Sequence, residues 1–433
     1  MNTNLVAVCG NSIKIKTDNY LNMLVSIIQY ILLFIIVVII FFFLFIRIKY
    51  RFWAIQPVFH FYDLYYWIVN VGVIREELPE KNRYTNFKNI KTISFDILND
   101  QNIKDLTLLV QLNYLRNNEN TFTPEKENIL PYFKCHNQKS FWSFYLQPDI
   151  LIDNKTSTTI EHEKLIGVIT SRPLHVSFLN NTTSKKNREM YVYYVDYLCV
   201  DKSHRKKNIA PQLIQTHEYN QSYLNRKICV SLFKREEELT GIIPLTIYKT
   251  YCFNMKNWLR PVNLDPRIKL LHGDKQNIYY LYNFINEIKY TNKWQLTVLP
   301  GMSNLIELVV TKNIFICMLV IDTTIVASYI FKKTCTFIEK EKEIISCISS
   351  IHNDRELTKE EFIHGFKVAL WSLIERPENK TFKYLVVEDT SDNNTIIENI
   401  SKKTHPIAVS PCAYFFYNFV YSPFQSNNVL IIN

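Results

Sequence analysis

The chain has 433 residues, 47% of them apolar, and a formal net charge of +10. That length exceeds one ordinary domain and supplies enough apolar residues for full cores in two or three. Nine cysteines without a C-x-x-C pair or metal-ligand spacing argue against a disulfide framework, predict no metal and suit a reducing compartment. The positive charge comes with no nucleic-acid-binding motif, so no such partner is read from it.

In chain order, the first element is an apolar run over residues 23–46, broken only by Ser26, Gln29 and Tyr30. At 1.5 Å per residue it is long enough to cross a hydrocarbon core of about 30 Å. A secretory signal would have an apolar region of about 7–15 residues and a small-residue cleavage site. Here Phe41-Phe42-Phe43-Leu44-Phe45 closes the segment. A transmembrane helix is therefore expected, after a short segment 1–22. Arg47, Lys49 and Arg51 against Lys14 and Lys16 place the larger part in the cytosol by the positive-inside rule.

Beyond the anchor, short β-branched or aromatic runs alternate with charged, helix-favouring stretches. Helices are expected over 103–118, 211–224 and 359–374. Strands are expected over 164–169, 191–200, 227–233, 305–310, 314–321, 324–331 and 381–388. Two prolines at 261 and 266 suggest a break near the middle. The reading is α+β: mixed sheet with flanking helices, twice, over 47–264 and 265–433. Basic clusters at 185–188 and 202–207 stand out, the first as solvated surface.

The densest signal is Val195-Asp196-Tyr197-Leu198-Cys199-Val200-Asp201-Lys202, then Arg205-Lys206-Lys207-Asn208-Ile209-Ala210-Pro211. An apolar strand gives way to a basic loop, and a helix follows. Such an arrangement turns backbone N–H groups and a helix N-terminus toward an anion. It resembles the strand–loop–helix of the N-myristoyltransferase family, N-F-L-C-V-H-K-x-x-R-S-K-R-V/L-A-P, within the GNAT-type acyltransferases. Phe52-Trp53-Ala54-Ile55-Gln56-Pro57-Val58 is similar to that family's F-W-x-T-Q-P-V. Leu165-Ile166-Gly167-Val168-Ile169-Thr170-Ser171-Arg172-Pro173 is similar to its L-V-G-F-I-S-A-x-P, and Phe415-Phe416-Tyr417-Asn418-Phe419 to its Y-L-Y-N-W. All four stand in family order, so the resemblance covers about residues 50–433.

The resemblance implies two tandem GNAT-like halves, the first holding acyl-CoA and the second shaping a peptide groove. It implies transfer of a long acyl chain, myristoyl first, from acyl-CoA as co-substrate to the α-amino group of an N-terminal glycine. No permanently bound cofactor is expected. The alternatives are an acyltransferase of other acyl or amine specificity, or a silent relative that only binds acyl-CoA or peptide at a membrane.

Transfer from thioester to amine requires a lost proton, a stabilised oxyanion and reactants held in line. In the family the oxyanion donors are main-chain N–H groups, which map onto Tyr197 and Leu198. The family's base is the α-carboxylate of the last residue, here Asn433. Coenzyme A contacts map onto Arg51, Phe52, Trp53, Tyr197, Leu198, Cys199, Val200, Arg205, Lys206, Lys207, Asn208, Ile209 and Ala210. The peptide side departs from the pattern. The family's T-A-G-x-x-L-P-x-P shrinks to Thr240-Gly241-Ile242-Ile243-Pro244, and Asn254 stands where a peptide-contacting histidine is expected. No Gly or Asp follows Asp392, so the family's acidic K-F-G-x-G-D-G loop is missing around 402–411.

Overall fold

A computed structural model of the chain describes residues 3–68, 72–114, 120–152, 159–179, 188–236, 241–339 and 341–433, with the side chains of 3–22, 150–162 and 188 outside that description. The chain divides into two compact units, Met1–Gln56 and Pro57–Asn433. The basic cluster at 185–188 and the expected helix end at 115–118 fall mostly outside the described residues, as does Thr240.

The first unit is one helix, α1 (Thr3–Lys49), followed by a 3₁₀ turn at Trp53–Ile55. Within α1, Met23–Lys49 is long and apolar enough to cross a membrane. Arg47 and Lys49 fill its last turn, where cations complement the negative end of the helix dipole.

The second unit is a large mixed sheet flanked by helices. Its strands are β1 (Gly72–Val73), β2 (Ile90–Ser94), β3 (Asn120–Phe122), β4 (Phe141–Ile152), β5 (Thr159–Phe178) and β6 (Arg188–Val200). Then follow β7 (Ser231–Glu236), β8 (Thr246–Asn254), β9 (Ile268–His272), β10 (Leu296–Leu299), β11 (Ile314–Ile321) and β12 (Thr324–Ile338). The last are β13 (Lys342–His352), β14 (Phe382–Glu388), β15 (Ala408–Tyr417), β16 (Phe419–Val420) and β17 (Val429–Ile431). The helices are α2 (Leu64–Ile68), α3 (Asp100–Asn113), α4 (Lys126–Ile129), α5 (Ile209–Leu224), α6 (Ile278–Tyr290), α7 (Met302–Val310), α8 (Lys359–Ile374) and α9 (Asn393–Ser401).

Across the sheet the order is β17-β10-β5-β6-β7-β15-β8-β14-β13-β12-β11-β9, with β4 and β2 stacked beside β5, and β3 beside β12. The long β5 ties this together. Its first part pairs with β4 and its far end, His175–Phe178, with β10. Strands β10 and β17 therefore come from late in the chain yet complete the early part of the sheet. In the middle, β15 pairs with β7 on one side and β8 on the other, so one sheet runs through both parts of the unit.

Local chemistry sets the helices. Helix α3 starts earlier than the apolar pattern suggests because Asn99 and Asn102 form a reciprocal capping box, which satisfies the first free N–H groups. Thr358 and Glu361 do the same for α8. One expectation is overturned: residues 305–310 are not a strand but the end of helix α7. The run Leu305-Ile306-Glu307-Leu308 is ambiguous by propensity, and tertiary packing decides. Asn304, Leu305 and Leu308 are buried, the three-to-four spacing of a helix face. The Asn304 amide also donates to the carbonyls of Pro131 and Lys134. The strands expected over 164–169, 191–200 and 324–331 are longer than their apolar runs, and that over 227–233 begins at Ser231.

The β14 side of the sheet is covered by α8 and α9, with Phe362, Phe366, Ala369, Leu370 and Leu373 against Leu319, Tyr329, Phe331 and Leu385. Gly365 is the contact point. A Cβ there would lie 2.3 Å from Leu319 Cδ1 and 2.8 Å from the Tyr329 hydroxyl, which is itself fixed on the Phe362 carbonyl at 2.5 Å. Replacing Gly365 with Ala gains about 1 kcal/mol of helix propensity but overpacks the core at about 1–3 kcal/mol. Gly365→Ala is therefore expected to lower stability by up to about 2 kcal/mol, read as a reduced urea midpoint with an unchanged slope.

Candidate active site

Strands β6 and β7 are parallel but pair only over Tyr193–Val195 with Ser231–Phe233. Beyond Val195 they part. On its other side β6 carries a bulge: Val195 faces Ser171 and Leu198 faces Ile169, so Asp196 and Tyr197 together oppose Thr170. A bulge of this kind re-aims the side chains and backbone of the strand that holds it. The Tyr197 N–H turns to the Thr170 hydroxyl, 3.1 Å away. The Tyr197 ring meets Tyr114 edge to face at 5.7 Å, and Leu198 is more than a third exposed. The Cys199 thiol is buried in the core and pushed up to about 12 by that burial, which makes it a packing residue rather than a nucleophile.

After Val200 the chain makes a tight basic loop. The Asp201 carboxylate accepts from the Ser203 N–H at 2.9 Å, and hydrogen bonds, that of the Ser203 hydroxyl first, hold its pKa down. Arg205 turns inward and donates to the carbonyls of Asn113 and Val200, so it ties the loop to α3. Lys206, Lys207 and Asn208 remain exposed. Lys206 and Asn208 both have left-handed backbone, at φ 65° and 59°. Asn208 is the N-cap of α5 yet makes no side-chain cap hydrogen bond. Ile209 is buried under the loop and Ala210 half-buried. Gly167 on β5 lets α5 approach: a Cβ there would meet Leu213 Cδ1 at 2.9 Å and Ile209 Cγ2 at 3.3 Å.

Two more sequence signatures meet at Asn418. Its N–H donates to the Pro57 carbonyl at 2.6 Å. Its amide donates to the Arg75 and Cys229 carbonyls, each at 2.9 Å, and accepts from the Arg75 N–H at 2.8 Å. These bonds hold an asparagine in the left-handed region, φ 65°. Arg51, Phe52 and Trp53 belong to the N-terminal unit, where the rings of Phe52 and Trp53 meet edge to face at 5.0 Å.

Asn433 is buried, carried there by β17, which pairs in parallel with β10. Its amide donates to the Tyr414 hydroxyl at 3.2 Å, and its main-chain oxygen accepts from Lys332 Nζ at 3.1 Å. Around it lies a group of buried charges that the sequence reading did not single out. Arg172 Nε donates to both carboxylate oxygens of Asp196, at 3.1 and 2.9 Å. Lys234 and the Tyr248 hydroxyl both donate to Glu388, at 3.1 and 2.7 Å. Burial pushes the Asp196 carboxyl up against the pull of Arg172 and Lys332. Burial also works against the Lys234 ammonium, but Glu388, Tyr414 and Glu236 outweigh it and hold its pKa well above the usual range. The residues around 402–411, expected as a loop, are half strand: β15 starts at Ala408 and pairs with β8.

Residues 74–240 match the family model described as Myristoyl-CoA:protein N-myristoyltransferase, N-terminal domain. That segment is similar to the N-terminal domain of the N-myristoyltransferase family. Among solved structures it is similar to the Saccharomyces cerevisiae N-myristoyltransferase with bound myristoyl-CoA, at 15% identity and a TM-score of 0.65, covering 87% of this chain and 90% of that one. A structure of the same yeast enzyme with myristoyl-CoA and inhibitors gives 14% identity and a TM-score of 0.66, covering 87% and 91%. Identity at this level speaks for the fold alone. No curated protein matches the sequence. The fold is thus the α+β fold of N-myristoyltransferases.

Beneath the site, α5 carries a buried polar chain. The His217 ring lies 2.8 Å from the Ser143 hydroxyl and 2.9 Å from that of Ser171. Ser171 donates to Gln221 at 2.6 Å, and Gln221 and Ser231 donate to Glu218, each at 3.1 Å. Burial lowers the His217 pKa to about 3 and raises that of Glu218 to about 7. The two signs oppose each other. A histidine depressed from about 6.5 loses its stabilising contribution as pH falls from about 6.5 toward 3; a carboxyl raised from about 4.5 loses its contribution as pH rises through 7. We expect Glu218→Gln to be more stable than the natural chain at pH 8 but not at pH 4.5, and His217→Gln to flatten the acid limb between pH 6 and 4. Thermal melts across pH decide both.

Proposed function

We propose that the chain transfers a long acyl group, myristoyl first, from acyl-CoA to the α-amino group of an N-terminal glycine. The observation that carries this reading is the bulged, splayed end of β6 running into a loop with two left-handed residues and an uncapped helix, inside the segment that matches the family model. Backbone N–H groups in such a loop and at a helix N-terminus receive phosphate. Lys206 and Lys207 add charge. The Tyr197 N–H, with that of Leu198, meets the thioester oxygen as it turns into an oxyanion, and the Thr170 hydroxyl then gives way or moves aside. The α-carboxylate of Asn433 takes the proton of the acceptor ammonium. The acyl-CoA contacts fall on residues 197–200 and 205–210. The apolar helix over 23–46 holds the enzyme on a membrane by a single pass, with the catalytic part in the cytosol.

The peptide side differs from the family. Lys332 touches Asn433 and is itself acted on by Arg172 and Lys234, and no acidic loop is present around 402–411 to welcome basic substrate residues. Acceptors with a lysine a few positions after glycine should therefore gain nothing here. A glycine-initiated peptide panel that shows a clear lysine preference would contradict this.

Charge-assisted contacts to phosphate are worth about 1.5–3 kcal/mol each. Replacing both Lys206 and Lys207 with Ala should weaken acyl-CoA binding at least tenfold and reduce its salt dependence. Unchanged binding by calorimetry would remove the loop from the cofactor site. Adding a few residues after Asn433 should abolish turnover and leave acyl-CoA binding intact; full turnover in the extended chain would remove Asn433 from the role of base.

A further inference from the structure

Beyond the apolar helix the chain carries a second run of large apolar side chains, at the start of the folded unit. Between Pro57 and Ile74 the only formally charged side chain is Asp63. Helix α2 lies within this run and is held to the unit by one face. The buried Phe59 ring meets Tyr66 edge to face at 6.3 Å and Trp67 at 5.0 Å. The other face is open to the surface: Leu64 is 71% exposed, Tyr65 62% and Ile68 82%, with Phe61 ahead of them at 43%. Leu64 and Ile68 are one turn apart, so they share a side of the helix. The polar groups of the segment are used locally. The Asp63 carboxylate accepts from the His60 N–H at 2.9 Å, and Trp67 Nε1 donates to the Phe61 carbonyl at 3.3 Å. Among Phe61, Leu64, Tyr65 and Ile68 the sole polar side-chain group is the Tyr65 hydroxyl.

The chain itself indicates what covers this face. The helix able to cross a membrane ends at Lys49, and the folded unit begins at Pro57. Even fully extended, that connection spans at most about 29 Å. A bilayer that holds the helix is therefore within short reach of the start of the unit, where α2 lies. The composition of α2 suits that neighbour. Tyr and Trp combine an apolar body with one polar tip and are enriched at the level of lipid headgroups, and Tyr65, Tyr66 and Trp67 stand there in a row. We propose that α2 is a membrane-interface contact of the folded unit: Phe61, Leu64, Tyr65 and Ile68 enter the boundary between headgroups and acyl chains of the bilayer that holds the apolar helix. Helices lying in that plane bury an apolar face about 5–10 Å deep. The contact rests on the membrane reading of residues 23–46 given above and is independent of acyl transfer. A single tether leaves a folded unit free to turn. A second contact fixes which side of it faces the lipid.

The test uses the full chain in phosphatidylcholine nanodiscs, with and without bromine on the acyl chains as a quencher of tryptophan fluorescence. Trp67 adjoins the proposed contact, and the difference between the natural chain and Trp67→Phe isolates its emission. The phenyl ring can still pack on Phe59, and thermal melts check that the variant folds. Brominated lipid should cut the Trp67 emission at least twofold, while acrylamide in the water leaves it largely unquenched. The double variant Leu64→Ser/Ile68→Ser alters only exposed side chains. With and without Trp67→Phe, it should lose the lipid quenching of Trp67 and open that ring to acrylamide. Trp67 emission untouched by bromine would overturn the proposal, whether acrylamide then reaches the ring or a second copy in the disc covers it. Extraction with alkaline carbonate separates the two claims. A chain released from membranes overturns the membrane reading of residues 23–46 and the contact with it; a chain retained there, with Trp67 untouched by bromine, overturns the α2 contact alone.

Discussion

The parting of β6 from β7 after Val195 is the constraint on which the site depends. Inside a continuous sheet, backbone polar groups are normally paired, because an unpaired one loses its hydrogen bonds to water without replacement. Here the parallel ladder holds for three residue pairs and then stops, and the bulge at Asp196–Tyr197 interrupts the ladder on the other side as well. The Thr170 hydroxyl takes up one of the freed N–H groups. Two features follow downstream of that opening: the loop at 201–208 and the helix α5 that begins there. Gly167 belongs to the same device, because only a residue without Cβ lets α5 lie this close to β5.

A second constraint is electrostatic. Arg172, Asp196, Lys234, Lys332 and Glu388 bring charges from five different strands into a largely buried space. Each charge placed out of water carries a desolvation cost of several kcal/mol unless it is paired. Lys234 with Glu388 and Arg172 with Asp196 meet this requirement. The two terminal nitrogens of Arg172, buried without a hydrogen-bond partner, do not. A cluster left in this state contributes little to stability, and its persistence beside Asn433 is better understood through the chemistry of the site.

The sequence made the frame legible but not the centre. Strands such as 314–321 and the helix 359–374 could be read to the residue, since β-branched runs and a Thr-x-x-Glu capping box leave few alternatives. Residues 305–310 were misread because a short apolar run has no period of its own until its partners are known. The family signatures were visible as strings, yet their reasons were not: Gly167 is set by Leu213 and Ile209, and Asn418 by Arg75, Cys229 and Pro57. The buried charges were invisible for a simpler reason. They lie at positions 172, 196, 234, 332 and 388, isolated in sequence, and only strand order brings them together.

Glycine scarcity connects the fold to the site. With 7 glycines in the whole chain, turns that need positive φ are made by other residues, among them Asn208, Asn292, Asn418, Asp322, Lys206 and Lys312. Left-handed backbone costs roughly 1–2 kcal/mol for most residues and less for Asn or Asp. At Asn418 the cost is offset by hydrogen bonds to three separate segments. At Asn208 the carbonyl accepts from Gln212 N–H, but the side chain leaves the helix N-terminus uncapped. Residues held in the left-handed region cluster at active sites and ligand clamps. On the acyl-transfer reading proposed above, an anion received by backbone N–H groups at the helix N-terminus is what would settle Lys206 and Asn208.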